Sequence, residues 1–598
     1  MSGLKFDGKT VVVTGSGTGI GQAIAKRFAE AGANIVIMGR RKEPLDQTAE
    51  ILNDIIKKAG SKGRVATFPG VDVSDEDGIN TMFEGVKKQF GKVDIIVNNA
   101  GVSGPVKTFT NASVKEFREC VAIHLTGTFW TSAAGLKAME KGGKIITIST
   151  FFSEENRYEQ RPYRFRTPYT ASQGAKNRLA ECLAWELAER GIRSIATNPG
   201  PVHSDRIYKT VYPKAAAEFL RVGGYPGLSS TEVEVVTAKA LPYLGDADDV
   251  VKKACRDAAT EIAAKRGQSD EVTVSKLAET VAGALAKMQE IAEKIQGNTS
   301  KMIVDSEFLA QDEVAEMVLN LSDEKMSKLI NGRVIPNDRV FYPVKPIVGT
   351  GVDILPGSEL KGKVIVLTTT SSAAKDIDRV KKVAGIAQVA GAKQVIVLYR
   401  DKADETHFKE FHSHAIDFLD ETAVRRIFNT AKTHFGPIDA VIHFTGDHDY
   451  NSAFSTMPRS QWDALIDNFL YVPGLIVKES VIAMAPEGAL TEPVKFKGTR
   501  GTITIVGPDA PVGKKISGTV RARSDVLRGA LRPYTATANQ ELGDVLGSNI
   551  KLHLVLAGNS EGAEPSADRL HASILSIAAG AALKRNEAIF YVDETRNQ

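Results

Sequence analysis

The stretch from Lys9 to Arg41, KTVVVTGSGTGIGQAIAKRFAEAGANIVIMGRR, constrains the fold more than any other part of the chain. A β-branched run leads into a glycine-rich turn, an amphipathic helical stretch and a second apolar run, and together they predict a βαβ unit. Gly15, Gly19 and Gly21 let the backbone turn sharply and approach a pyrophosphate, whose charge is met by the N–H groups and positive end of the following helix. Thr14, Ser16 and Ile20 belong to the same candidate cofactor turn. A glycine trio alone is equally a tight turn before a helix. Its position between a predicted strand and a predicted helix makes it a dinucleotide-binding candidate.

Further strands follow. VDIIVNNAG (Val93 to Gly101), KIITIST (Lys144 to Thr150) and GIRSIATNPGPV (Gly191 to Val202) read as buried strands ending in small, amide or hydroxyl residues. Alternating with helical stretches, they predict an α/β fold with a doubly wound parallel sheet, in which ligands bind beyond the carboxyl ends of the strands. Asn99, Ala100, Gly101, Ser149, Thr150, Pro199, Gly200 and Val202 all fall at such ends. With 598 residues, 42% hydrophobic and 25% charged, the chain is long enough for two large domains. Its three cysteines, Cys120, Cys182 and Cys255, have no metal-ligand spacing and make no disulfide framework, so a reducing compartment and no metal are expected. No apolar run precedes a cleavage site near the start and none reaches the ~20 residues that span a bilayer, so a cytoplasmic location off the membrane is expected. A net charge of +4 makes no basic stripe for nucleic acid.

TGSGTGIG, NNAG, the tyrosine of PYTASQGAK and NPGP, in this order, resemble the short-chain dehydrogenase/reductase family. The resemblance covers about residues 5–228 and resumes near Asp312, where DEVAEMVLNLSDEKMSKLINGRVIP is similar to the family's last helix and strand. It implies that Tyr169 is the catalytic tyrosine, that Ser149 and Thr150 supply the active hydroxyl, that NPGP holds the nicotinamide carboxamide, and that Asp72 and Val73 meet the adenine. Locally, ISTFFSEENRY, PY and NPGPVHSDRI are similar to the amino-terminal, malonate-semialdehyde-reducing half of bacterial bifunctional malonyl-CoA reductases, itself a tandem of one intact and one eroded reductase domain.

The same organisation is expected here: an NADP-binding domain over 1–228, completed by about 311–345, a helical insertion over 229–310, and a degenerate domain over 346–598. From Lys361, KGKVIVLTTTSSAAKDIDRVKKVAGIAQVAGAKQVIVLYR repeats the first βαβ pattern, but its turn has no glycine, and bulky Cβ atoms block approach to a pyrophosphate. HFTG (His443 to Gly446) stands for NNAG and VGPD (Val506 to Asp509) for the hydroxyl-bearing strand end. Counting back from IKLHLVLAG puts the tyrosine position on Leu527. This half reads as a non-catalytic pseudo-domain that completes a pseudo-dimer. The insertion, Ala-rich with helical spacing, is either a lid over the substrate or a brace between domains.

Cofactor choice rests on MGRRKE, where Arg40 and Arg41 stand at the end of the second strand, the place of a 2′-phosphate. NADP(H) is the expected cofactor, against a solvated arginine pair. Three departures from the family mark the reaction end. First, the lysine expected one turn after Tyr169 is Gln173, which can hold a ribose hydroxyl but carries no charge; the family's lysine stabilises the phenolate. On a helix the next cation, Lys176, lies ~20° from Tyr169 in azimuth and ~4.5 Å beyond Gln173, and its side chain tilts back toward the amino terminus. Lys176 either reaches the pocket or lies on a solvated face. Second, His124 stands where the family keeps an asparagine of its proton relay, and brings a group that titrates near neutrality. Third, the gap between Ser149 and Tyr169 is longer than in the family, and the inserted loop carries Arg157, Arg161, Arg164 and Arg166, which suit capture of a carboxylate or form a solvated basic loop. Arg206 is a further substrate candidate.

Three readings remain open: an NADPH-dependent reductase of a short acidic aldehyde, foremost malonate semialdehyde; a reductase of another 3-oxo or acyl-thioester-linked substrate; or an NADP-binding scaffold without turnover. Expected partners are the small aldehyde, a second copy of the chain, and a separate thioester-reducing enzyme, because VDETRNQ falls about where the bifunctional proteins continue.

Overall fold

In the computed structural model, which describes residues 6–157, 159–204, 207–340, 348–350, 358–510, 517–558 and 567–592, the apolar runs become strands. The first sheet contains β1 (Thr10–Thr14), β2 (Asn34–Gly39), β3 (Val65–Pro69), β4 (Val93–Asn98), β5 (Met139–Ile148), β6 (Arg193–Pro199) and β7 (Val334–Asn337). Its order is β3-β2-β1-β4-β5-β6-β7, and every pairing is parallel. Val11, Val12, Val13, Ile35, Val36 and Ile37 are wholly buried because helices cover both faces, which is why these strands read as continuous apolar runs. The winding direction reverses between β1 and β4, and this opens a crevice at their carboxyl ends.

The second sheet contains β8 (Val348–Thr350), β9 (Val364–Thr369), β10 (Gln394–Tyr399), β11 (His412–Ala415), β12 (Ala440–Phe444), β13 (Arg500–Val506), β14 (Asn549–Ala557) and β15 (Ile589–Val592). Its order, β11-β10-β9-β12-β13-β14-β15-β8, repeats the first and adds one parallel edge strand. The chain is thus two tandem Rossmann-like, doubly wound α/β units.

Between them, helices Ser230–Lys239, Asp248–Lys265 and Glu271–Ser300 pack with Tyr212–Gly223 around their own apolar cluster, which includes Ala258, Ile262, Val281 and Leu285. Small alanines let the helices approach closely. The 30-residue helix Glu271–Ser300 starts at Asp270, whose carboxylate accepts the Thr273 N–H.

The two units join helix on helix, Thr167–Glu186 against Gly518–Gln540. At the crossing a Cβ on Gly174 would stand 2.2 Å from the Gly529 carbonyl oxygen, and one on Gly529 would stand 2.4 Å from Arg178 Cγ. Each glycine meets the other's carbonyl and the residue four further on, so a local pseudo-two-fold axis relates Gly174 to Gly529. Tyr169 then corresponds to Ser524 and Gln173 to Arg528, about one turn from the Leu527 reached by counting from the strand. Around the crossing, Phe129 stacks on Trp462 at 3.9 Å, and the indole N–H donates to Thr126 Oγ1 at 3.1 Å. Arg532 and Glu154, both wholly buried, form a bidentate pair at 2.7 and 2.8 Å.

Candidate active site

Two adjoining cavities of about 390 and 740 Å³ open at the carboxyl ends of the first sheet. Between them Gly15 and Gly19 take φ of +66° and +65°, a backbone that side-chain-bearing residues rarely adopt. A Cβ on Gly21 would stand 2.4 Å from the Gly15 carbonyl oxygen, so the third glycine lets the helix Gly19–Glu30 pack onto its own turn. That helix begins at Thr18 with no side-chain cap and no acidic residue in its first turn, which leaves its N–H groups available to an anion. The cradle therefore fits a pyrophosphate. Arg40, Arg41, Asp72, Val73 and Ala100 line the smaller cavity, with the Arg40 guanidinium 3.7 Å from the Asp72 carboxylate. Gly101 borders both cavities, and Ile20, Asn99, Pro199, Gly200 and Val202 line the larger. Two candidates of the turn do not line either cavity. Thr14 Oγ1 accepts the Asn99 and Ala100 N–H groups at 3.0 and 2.9 Å, and Ser16 Oγ accepts the Met38 N–H at 3.0 Å. Both hydroxyls satisfy backbone groups inside the fold, so their part is to hold the turn.

At the other end of the larger cavity stand Tyr169, Gln173 and Lys176, all from the helix Thr167–Glu186, with Ser149, Thr150 and His124. The Ser149 hydroxyl donates to the Gln173 carbonyl oxygen at 2.9 Å. Lys176 is in the interior, not on a solvated face: it is 1% exposed, and its ammonium donates to the Ile148 carbonyl oxygen, at the end of β5, at 2.6 Å. Burial brings that ammonium down to about 7. Gln173 Oε1 is buried without a hydrogen-bond donor among the described residues, which suits a ribose hydroxyl. The His124 ring meets Tyr169 edge to face at 5.1 Å, and its Nε2 lies 2.8 Å from the Val102 carbonyl oxygen. A Cβ on Gly101 would stand 2.6 Å from His124 Cε1, so this glycine makes room for the imidazole.

The inserted loop corrects the expectation of an arginine cluster facing substrate. Arg157 is bonded to Asp525, and Arg164 lies 2.5 Å from Asp544, both carboxylates of the second unit. Arg161 pairs with Glu155 at 2.9 Å and Asp338 at 3.1 Å. The physical reason is charge balance: Glu155 within the loop, and Asp338, Asp525 and Asp544 from far away in sequence, neutralise it. Arg166 alone of the four enters the cavity. Its guanidinium lies 4.1 Å from the Tyr169 ring centre and 5.0 Å from that of Tyr163, and its Nε has no acceptor among the described residues. Arg206 lies outside the described residues. The remaining walls include His203, Tyr212, Thr299 and Gln311. Of these only His203 stood in a stretch the sequence had marked; Thr299 closes the long insertion helix, and nothing local distinguishes it.

In the second unit the corresponding place is filled. Arg528 donates to the Pro508 and Ala557 carbonyl oxygens at 2.9 and 2.6 Å. The glycine-free turn closes on itself through Ser371 and Asp376 at 2.5 Å, and Lys375–Asp447 and Arg379–Asp509 pair nearby at 3.1 and 2.7 Å. Among the described residues no group of His, Cys, Asp or Glu could hold a metal ion, and no helix is long and apolar enough to cross a membrane.

Known proteins share this arrangement in part. The sequence profile described as short chain dehydrogenase matches residues 9–212. Glucose 1-dehydrogenase 2 of Bacillus subtilis (strain 168) is 34% identical over 203 residues, 33% of this chain and 73% of that protein. The 7alpha-hydroxysteroid dehydrogenase of Escherichia coli (strain K12) is 30% identical over 220 residues, 36% of this chain and 80% of its own. In three dimensions the whole chain is similar to the NADP-bound C-domain of a bacterial malonyl-CoA reductase, with a TM-score of 0.73, 16% identity and 99% of both chains covered. The N-domain of such an enzyme, also with NADP, gives a TM-score of 0.69 at 18% identity, with 98% of both chains covered. At these identities the likeness is one of fold, and it extends to the tandem arrangement.

Proposed function

The chain belongs to the short-chain dehydrogenase family and is an NAD(P)-dependent oxidoreductase; from that premise we propose that it is an NADPH-dependent reductase of a short acidic aldehyde, foremost malonate semialdehyde giving 3-hydroxypropionate. One observation carries the reading: a single cavity is bordered by the glycine turn at one end and by Tyr169, Ser149, Lys176 and Arg166 at the other. NADPH is favoured over NADH by Arg40 and Arg41 in the adjoining cavity. The NADP in both similar malonyl-CoA reductase domains agrees with this choice.

A nicotinamide dinucleotide held by the glycine turn and Gln173 would supply the hydride for the carbonyl carbon. Tyr169 gives its phenolic proton to the carbonyl oxygen, and the Ser149 hydroxyl orients that oxygen by turning its proton from the Gln173 carbonyl to the substrate. Gln173, with its bare amide oxygen, holds a ribose hydroxyl in place of the usual lysine. Lys176, pinned to the end of β5, supplies positive charge near the oxygen that Tyr169 leaves behind. Arg166, whose guanidinium lies over the Tyr169 ring at the border of the cavity, takes the substrate carboxylate. Thr299 makes the insertion a wall of the cleft, which favours the lid reading over the brace.

A second reading, a larger 3-oxo or thioester-linked substrate, is favoured by the 740 Å³ volume, generous for a three-carbon aldehyde beside a nicotinamide. The test is NADPH oxidation by the purified protein against short aldehydes with and without a carboxylate, and against 3-oxo thioesters. Preference for the acidic aldehyde, weakened by Arg166→Ala while a neutral aldehyde of equal length is little affected, supports the proposal. No oxidation with any substrate sinks both enzymatic readings and leaves the NADP-binding scaffold.

A further inference from the structure

Glu541, just beyond the helix Gly518–Gln540 of the second unit, is a wholly buried carboxylate whose ligands all belong to the first unit. Its Oε1 accepts the Phe165 N–H and its Oε2 the Phe109 N–H, each at 2.7 Å, across sequence separations of 376 and 432 residues. Burial pushes the carboxyl up to about 8 against the pull of those two N–H groups; Glu218 adds to the push and Arg164 eases it.

What it holds is unusual. Phe165 takes φ of +64°, the left-handed region that a bulky residue occupies only when its surroundings enforce it. Glu541 fixes its N–H, the Lys107 N–H donates to its carbonyl at 3.2 Å, and its ring packs edge-on against Phe219 at 4.8 Å. The next residue is Arg166, whose guanidinium covers the Tyr169 ring. On the other side, Glu218 accepts the N–H of Thr108 at 2.8 Å, so adjacent residues of the loop after β4 are held by two carboxylates from different units. That loop also carries Val102 and Ser103 into the cleft.

We propose that Glu541, from the unit without a catalytic tyrosine, is a positioning residue for the reaction in the other unit: it holds Phe165 left-handed so that Arg166 and Tyr169 face the cleft. The inference rests on the reading of Tyr169 as proton donor. It also gives the degenerate unit a task that dinucleotide binding does not require, since neither Phe109 nor Phe165 lines either cavity.

The test is Glu541→Gln in the full chain. The amide keeps the size but turns an N–H₂ group toward one of the two backbone N–H donors. The expected result is a kcat for aldehyde reduction at least tenfold lower, NADPH affinity within twofold of the parent, and faster hydrogen exchange at peptides containing Phe109 and Phe165. Unchanged kcat with unchanged exchange overturns the proposal. Equal losses in kcat and NADPH affinity also overturn it, because they indicate a general structural role. If the parent itself shows no turnover, the functional reading has failed, and the exchange measurement still decides whether Glu541 holds the loops. Should the variant not fold, the parent answers: Phe109 and Phe165 amides that exchange as slowly as the interior of Thr167–Glu186 support the clamp, and amides that exchange at the rate of open loops overturn it.

Discussion

The two units share one winding order and differ in what occupies the crevice at the carboxyl ends of their strands. In the first, the turn is glycine, Gln173 keeps an amide oxygen with no partner among the described residues, and Lys176 donates to a strand carbonyl. In the second, the position matching Gln173 is Arg528, which takes two carbonyl oxygens, while Ser371 and Asp376 close the turn and two ion pairs stand nearby. A binding cleft keeps polar groups waiting for a ligand, at a cost of roughly 1–3 kcal/mol for each buried and unsatisfied group. A unit that no longer binds can satisfy those groups internally. The comparison teaches that several polar groups of the second crevice bond to one another instead of lining an open cleft, while Asp509 Oδ1 and His448 Nε2 there are buried with no partner among the described residues.

The sharpest way to break this comparison is to disable one residue in each crevice. Tyr169→Phe should lower turnover by on the order of 10²–10⁴-fold while NADPH still binds, read by steady-state rates and nucleotide titration. Arg528→Ala should instead leave turnover near the parent's and cost about 1–3 kcal/mol of stability in denaturant melts, as two carbonyls lose their donor. A titration should give one dinucleotide per chain; a second mapped to Ser371 would end the account of the filled site.

Next in size is the seam between the units. Arg532→Met removes the bidentate partner of Glu154 and leaves that carboxylate to Arg178 at 3.4 Å and the Gln160 amide, and should cost about 1–3 kcal/mol by denaturant melts. A loss below 1 kcal/mol would mean that the two units are stable independently of this pair.

Lys176→Met tests whether function is kept at the expense of stability. In the folded protein burial lowers this ammonium from 10.5 to about 7. Between those values the unfolded chain binds more protons, so the parent gains stability as pH rises through this window, and the penalty of the buried charge is full below about 7. The variant should therefore be a slower reductase but more stable at pH 7, with an advantage that shrinks toward pH 10. Adding Gln173→Lys should restore much of the lost rate. If Lys176→Met is as fast as the parent, the displaced lysine has no part in the reaction. Smallest is the cofactor effect: replacing Arg40 and Arg41 by alanine should narrow the preference for NADPH over NADH by about tenfold, or 1.4 kcal/mol. Equal affinities in the parent would remove the basis for choosing NADPH.

Much of this was legible in the sequence where the signal is local. Continuous apolar runs gave the strands because both faces of each sheet are covered, whereas helix geometry left Lys176 open between the pocket and a solvated face, and its burial excludes the solvated face. What escaped is long-range. Nothing in the loop itself tells that Arg157 and Arg164 answer Asp525 and Asp544 rather than a substrate, and no periodicity links Glu541 to Phe165. Counting from strands also missed the helix register: Gly174 and Gly529 set it, and their closeness is a property of the packed pair.

The contact between those two glycines is made within one chain. A comparable helix pair between separate subunits would come apart on dilution, because its assembly depends on protein concentration. Here the partner helix is always tethered, so its effective concentration is fixed by the connecting segment rather than by how much protein is present. Specific activity should thus carry no dilution dependence from this seam, and each half has been free to change its side of the contact without a matching change in an identical copy.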